Sequence, residues 1–488
     1  MYFAWKVHFI LAIHVLVIAH AEARPTSFSR RISVPLRKVH LRDVTQDVHP
    51  VIVHQQHVNR GTQRLARMTG REEPSNDELN KKIADRLSRL SSHPSKRFYL
   101  GGIPDTLDFL KLGHETHNSP SNPAMPVNAF KADTDKAVKD GVTPGRPLDY
   151  PNSIPLDTLA QDYGYLGTVY MGTPPRPFSL LMDSGSADLW VGSEECRSNE
   201  GGSCGNHVFL GPNLSSTYRD TNRTWSISYR TGAVSGRIVQ DTVTVAGLHL
   251  ENMTFGVALN ETSEFTPDYI PFDGLVGLAK SQIISRQGTP TLVEALHKAG
   301  LIPEAITSYK IPRLADGKND GELTFGGMDP SKYNANTLIT VKNKSRLGFW
   351  EAAIDSISVN GVNMGWSNRT AILDTGTSLM VAPSKDVEAI HRAIPGAKYD
   401  GEKWIVPCTL KVSVSLTFGG REFAIDPRDI AFLPMNPDDP TGDCMSGISE
   451  GNVGPVDFEW LVGDVFLKNV YFSTNVDKDE ISLAKLAP

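Results

Sequence analysis

Cysteine is scarce in this chain: four residues in 488, none of them before Cys196. With no thiolate and no rigid spacing among the N-terminal histidines, a zinc site is not expected there. Glycine (41) and proline (32) are too few for a collagen repeat, and 40% apolar with 21% charged residues excludes a disordered chain and a coiled coil. Long apolar runs are missing too. The single candidate, Phe9–Ala21, is too short to cross a bilayer, and no second run lies near Pro488, so neither a membrane anchor nor a lipid-anchor signal is expected. What remains is a soluble globular chain with length for two or three domains.

The short apolar run follows Lys6 and ends in small residues at Ala19, Ala21 and Ala23, the pattern of a cleaved export signal, assigned to residues 1–21. Six N-x-[ST] sequons, at Asn213, Asn222, Asn252, Asn260, Asn343 and Asn368, agree with export and are the candidate glycosylation sites. In an exported chain Cys196–Cys204 and Cys408–Cys444 are the expected disulfides, although four cysteines permit three connectivities. Secretion is the expected destination. The vacuole is the alternative, since both routes use the same signal.

Charge divides unevenly. Residues 24–140 carry 20 Lys+Arg against 13 Asp+Glu, a balance of +7, whereas 141–488 carry 28 against 41, a balance of -13. The natural partner of the basic segment is the acidic remainder of the same chain; a nucleic-acid arm does not fit an exported, glycosylated protein. The basic segment holds seven histidines, His49, His54 and His57 among them, and the dibasic pairs Arg30–Arg31 and Lys96–Arg97. Leu79, Ile83, Leu87 and Leu90 recur at helical spacing in residues 77–92, which predicts one amphipathic helix with a packing face. From Asn118 to Pro151 the chain is rich in Pro, Ser, Asn and Gly and reads as an exposed, cleavable linker.

Beyond about residue 150 the pattern becomes short period-two strands, such as TWSISY at 224–229, RIVQDTVTV at 237–245 and KVSVSLTF at 411–418, separated by Gly- and Pro-containing turns. The expectation is a mostly-β body. Within it LLMDSGSADLWV at 180–191 and AILDTGTSLMVA at 371–382 repeat one motif: apolar strand, Asp, hydroxyl, Gly, hydroxyl, apolar strand. Each copy is followed by an apolar-apolar-Gly element, Leu275–Gly277 and Leu461–Gly463. One such motif is ordinary turn chemistry. Two copies in parallel order imply two related lobes, each presenting one aspartate, Asp183 and Asp374, from a tight loop. Two carboxylates about 3 Å apart at an effective dielectric near 20 repel by about 5 kcal/mol, so the pair keeps one proton in mild acid. One carboxylate then takes a proton from water while the other, protonated, polarises a carbonyl.

The chain resembles the pepsin-like aspartic endopeptidases over about residues 150–488. Besides the two motifs the likeness includes Trp190 in ADLWVG, WSISYRTGAVSG at 225–236, PFDGLVGLA at 271–279 and EWLVGDVFLKNVY at 459–471; RISVPLRKVH at 31–40 resembles the start of the family's propeptides. The long leader, the two cysteine pairs and DSGSADLWVG resemble fungal members. The likeness implies an all-β, bilobal fold with a catalytic cleft, divided as signal 1–21, propeptide 22–145, N-terminal lobe 146–330 and C-terminal lobe 331–488. It implies catalysis by Asp183 and Asp374. Ser186 and Thr377 would orient them, Ser184 and Thr375 would tie the loops together, and Gly185 and Gly376 would let the backbone approach. Tyr229 would be the flap tyrosine over substrate, meeting Trp190, with Thr231 and Gly232 in the flap turn and Leu181 and Leu275 lining an apolar pocket.

Two features depart from the family: Arg230 stands where glycine usually follows the flap tyrosine, and no lysine can be matched to the one that reaches the catalytic pair in the family's precursors. The expected function is an acid endopeptidase made as a zymogen and acting on polypeptide substrates, with hydrophobic residues around the cut and no metal or cofactor. Its own propeptide would be the intramolecular inhibitor, released as acid neutralises carboxylates and charges histidines. A pepsin-like binding protein without catalysis is the alternative. Because one chain supplies both motifs, a monomer is expected rather than a homodimer of half-sites.

Overall fold

The period-two segments form strands: TWSISY falls mostly in Arg219–Ser228, RIVQDTVTV in Ala233–Val245, and KVSVSLTF contributes Val414–Phe418. The computed structural model describes residues 49–90 and 142–488, apart from 161, 229–231, 264, 267–269, 437 and 452–457. The signal segment, RISVPLRKVH, both dibasic pairs, most of the 118–151 linker, and Tyr229, Arg230 and Thr231 lie outside the described residues.

Among the described residues a nine-stranded sheet builds the first half of the body, running from Val142–Thr143 at one edge to Arg219–Ser228 at the other. The second half consists of sheets of five, four and four strands. A six-stranded sheet draws Ser153–Pro155 together with strands from Ile306 onward, so the two halves share a hydrogen-bonded floor. The core is aromatic and dry: Phe178 and Phe255 in the first half and Trp350, Trp460 and Phe466 in the second are buried. Both expected disulfides are present, Cys196–Cys204 and Cys408–Cys444.

The repeated motif becomes a repeated arrangement of strands. Arg176–Asp183 runs parallel to Gly274–Gly277, which pairs antiparallel with Leu189–Ser198; Leu275 lies opposite Trp190. In the second half Arg369–Leu373 runs parallel to Glu459–Val462, which pairs antiparallel with Met380–Ala382. Each aspartate therefore stands at the end of a central strand, on a loop crossed by its own downstream apolar strand.

The leader supplies two helices, α1 (Pro50–Met68) and α2 (Asn76–Leu90). In α1, Pro50 occupies the first turn, where its missing N–H costs nothing, and the His49 ring accepts from the Val51 N–H at 3.2 Å. Gly70, at φ +68°, turns the chain out of the helix. A capping box opens α2: Ser75 Oγ accepts from the Glu78 N–H, and the Glu78 carboxylate accepts from the Ser75 N–H. The amphipathic reading of 77–92 is realised over 76–90, with Leu79 and Ile83 buried. Asn59 of α1 donates to the Leu79 carbonyl of α2, joining the pair. Neither these helices nor any other among the described residues is long and apolar enough to cross a membrane.

Candidate active site

The two aspartate loops meet at the junction of the halves and interlock. Ser184 Oγ donates to the Leu373 carbonyl at 3.1 Å and accepts from the Thr375 N–H at 2.9 Å; Thr375 Oγ1 donates to the Met182 carbonyl at 2.9 Å and accepts from the Ser184 N–H at 3.0 Å. All of these groups are buried, so each bond forms where water cannot compete.

Around each carboxylate the same set of donors recurs. Asp183 accepts from the Gly185 N–H (2.9 Å) and Ser186 Oγ (2.7 Å); Asp374 accepts from the Gly376 N–H (3.0 Å) and Thr377 Oγ1 (2.5 Å). The glycines are needed for space: a Cβ on Gly376 would lie 2.3 Å from Asp183 Oδ1, and one on Gly185 would lie 2.4 Å from Asp374 Oδ1. Both aspartates are fully buried.

Their counter-ion is a leader residue that sequence reading did not single out. Arg64 of α1 donates Nη2 to Asp183 Oδ1 at 2.7 Å and to Asp374 Oδ1 at 2.8 Å, and Nε to Asp374 Oδ2 at 2.7 Å. One nitrogen thus reaches an oxygen of each aspartate, which places the two carboxyl groups face to face across the span of a single atom. Burial raises the Asp183 pKa, but the Arg64 charge and the hydrogen bonds from Arg64, Ser186 and Gly185 outweigh it and leave the group below its ordinary value. For Asp374, burial and the neighbouring Asp183 charge prevail over Arg64, and its pKa is raised. Two buried carboxyls facing each other this closely repel when both are ionised, which suits a pair that shares one proton.

These observations decide the family. The profile of the eukaryotic aspartyl proteases matches residues 164–486. The chain belongs to the eukaryotic aspartyl protease family. It is 33% identical over 413 residues to the aspartic-type endopeptidase ctsD of Aspergillus fumigatus, covering 84% of this chain and 80% of that protein. It is 34% identical over 340 residues to a protein named "Probable aspartic-type endopeptidase CTSD" of Arthroderma benhamiae, covering 69% of this chain and 64% of that protein's length. Pepsin A of the dog is 32% identical over 331 residues, covering 67% of this chain and 82% of pepsin.

In this aspartyl protease chain WSISYRTGAVSG falls on the hairpin of Arg219–Ser228 and Ala233–Val245, whose last described pair is Ser228 opposite Ala233. The tip residues 229–231 are outside the described set; Gly232 is partly buried at its base. Trp190, Leu275, Trp225 and Ile227 form one apolar cluster beneath the hairpin, with Leu181 packed against it and Phe265 edge-on to Trp190 at 5.4 Å. Among the described residues one acid-and-thiol cluster has metal-like spacing, Cys196, Cys204 and Glu261, but its sulfurs are joined in a disulfide and offer no thiolate.

The leader's other polar residues also face the body. His54 reaches the Ser446 carbonyl at 3.0 Å, and the His57 ring packs against both Tyr163 (4.7 Å) and Phe432 (5.7 Å). Arg71 pairs with Glu459, and Arg86 and Arg89 pair with Glu402. Leu65, Ala66 and Met68 cover an apolar surface of Phe349, Ile372, Val381 and Leu461.

Proposed function

We propose that the chain is the precursor of an acid endopeptidase that hydrolyses peptide bonds with water activated between Asp183 and Asp374, and that α1 keeps it latent. The observation that carries this reading is Arg64: one guanidinium binds both carboxylates where attacking water would sit. With the leader gone, the pair holds one proton. The ionised carboxylate takes a proton from water as its oxygen attacks the carbonyl carbon, while the protonated carboxyl gives its proton to the carbonyl oxygen. The tetrahedral adduct then collapses, the C–N bond breaks, and a proton passes to the leaving nitrogen. Ser186 and Thr377 hold the outer oxygens, and the interlocked loops keep the two groups in register. Apolar neighbours of the dyad, such as Phe349 and Ile227, support a preference for hydrophobic side chains near the cut.

The basic leader on an acidic body supports zymogen storage after export, by secretion or to the vacuole. Val142–Thr143 pairs with Thr158–Leu159, and the Arg146 N–H donates to the Asn319 carbonyl. These bonds tie residues 142–146 to the body and support maturation somewhat upstream of the expected boundary after residue 145, by self-cleavage or by a protease acting at Lys96–Arg97. Five sequon asparagines are exposed, whereas Asn343 donates to Asp479 and accepts from the N–H groups of Ser345 and Glu351, which argues for glycans on the five and not on Asn343.

The test is digestion of casein by the acid-treated protein between pH 2 and 7, with and without pepstatin, beside Asp183→Asn and Asp374→Asn. Acid-favoured activity that pepstatin and either substitution abolish is expected. Activity that survives them overturns the dyad, and absence of proteolysis with retained peptide binding would favour the binding-protein alternative.

A further inference from the structure

We infer that Arg286 is a specificity-determining residue that selects peptides carrying a carboxylate side chain a short distance from the cut, on the side of the dyad where the leader now places Met68. This rests on the endopeptidase reading above.

Two connected observations lead there. A cavity of about 260 Å³ adjoins the Asp183 loop, lined on the body side by Ser186, Ile227, Ile284, Leu347, Phe349 and Arg286. Met68 enters it so closely that a Cβ on Gly185 would lie 2.5 Å from its terminal methyl. A second cavity, of about 830 Å³, continues along the hairpin strand Thr224–Ser228 and again includes Arg286. Arg286 thus borders both segments of one path leading away from the dyad.

The charge balance of that path depends on the leader. While α1 is docked, Arg67 and Glu73 line it as a pair, Nε to Oε1 at 3.0 Å and Nη2 to Oε2 at 2.9 Å. The leader thus already places a carboxylate in the cavity that Arg286 borders, together with its own cation. When the leader leaves, both charges go. Among the described body residues lining the two cavities, the acid that remains is Asp188, buried and already accepting from Ser285 Oγ and from the N–H groups of Arg286 and Gln287. Those bonds fix the loop that carries Arg286 and leave Asp188 little capacity for its guanidinium. No ion pair joins the Arg286 side chain to any described acid within 4.0 Å, and the residue is exposed. Nearby Arg223 instead donates to the Gln287 carbonyl at 2.7 Å.

An uncompensated guanidinium at the border of an apolar cavity favours a peptide with an apolar side chain for the cavity and an ionised carboxylate a few residues farther along. Glutamate suits this in the mild acid where the enzyme works, since its ordinary pKa is about 4.3.

The experiment uses mature enzyme and peptide pairs that differ only by Glu or Gln at each position flanking a common cut, with kcat/KM measured at pH 5 and pH 3. At pH 5 the wild type should prefer Glu about three- to fivefold, at positions on one side of the cut only, as an exposed ion pair allows. The preference should fade at pH 3. It should vanish in Arg286→Gln, persist in Arg286→Lys and reverse in Arg286→Glu, each variant's rate on the Glu peptide being divided by its own rate on the matched Gln peptide. Cleavage without Glu/Gln discrimination, or discrimination that survives Arg286→Gln, overturns the role of Arg286 and leaves the protease reading intact. Failure to cut any peptide overturns both.

Discussion

A precursor carrying His54→Gln should require stronger acid to open. In the docked leader the His54 ring is 1% exposed. Burial lowers its pKa to about 4; Arg86 and Lys403 act in the same direction, and the Ser446 carbonyl and Asp400 oppose them. Lys82, Asp85, Glu402 and Glu450 line the adjoining cavity. An undocked, solvated histidine binds its proton near 6.5, so between these values the released leader holds more protons than the docked one. Docking is therefore strongest above about pH 6.5, weakens as pH falls, and has lost its His54 contribution near pH 4. The interval corresponds to about 3 kcal/mol, or roughly 300-fold in the docked-to-open ratio. Asp183 titrates in the opposite sense, its carboxyl being held below its ordinary value by Arg64 while the leader is docked. His391, which reaches the Ser446 hydroxyl from the body, is also lowered to about 4 by burial, but it is present in both states and largely cancels. Glutamine at position 54 can still donate to the Ser446 carbonyl but cannot take up a proton. The assay is the initial rate on a fluorogenic peptide within seconds of a pH jump from 7, with gels to separate opening from leader cleavage. The variant's transition should move to lower pH and lose about one proton of steepness. Superimposable profiles for variant and wild type would refute the reasoning.

Arg64→Gln removes the counter-ion of two fully buried carboxylates, a loss of about 3–5 kcal/mol for a buried pair, so the intact variant should cut peptide at pH 6 while the intact wild type, on the proposed reading, should not; equal latency would show that Arg64 is not the lock. Ser184→Ala deletes both a donor to Leu373 and an acceptor for the Thr375 N–H, which should lower stability by about 1–3 kcal/mol in thermal melts; an unchanged melt would contradict the interlock. Glu261, 3% exposed, holds its proton to about 8 because of burial. The unfolded chain releases that proton near the ordinary value, so stability should be full in acid and fall as pH rises from about 4.5 to 8, by about 5 kcal/mol in all. Glu261→Gln should flatten that slope in urea melts, and a slope unaffected by it would count against the assignment.

How much of the site could be read beforehand depended on whether its signal was local. Asp183 and Asp374 were legible because each sits in a short motif of fixed chemistry that occurs twice, and Leu79 and Ile83 were legible because α2 buries an apolar stripe. Helix α1 is amphipathic too, but its inward face is partly polar. Its buried face mixes Val51, Ile52, Leu65 and Met68 with His54, Gln55, Asn59, Thr62 and Gln63; Gln55 and Thr62 bond within the helix, whereas His54, Asn59 and Gln63 find partners elsewhere, so polar residues interrupt the apolar stripe. Arg64 stands 119 residues from Asp183 and 310 from Asp374, and nothing in its neighbours distinguishes it from Arg60, Arg67 or Arg71.

Read alone, the chain determines that two like halves each present an aspartate on a strand end, since strand periodicity, glycine and hydroxyl placement are properties of a dozen consecutive residues. Tertiary structure alone decided which of the leader's many cations neutralises the pair and that Arg286 borders both cavities on one path from the dyad. Charge–charge contact depends on separation in space, and a guanidinium becomes a lock only where folding removes water from the carboxylates it meets.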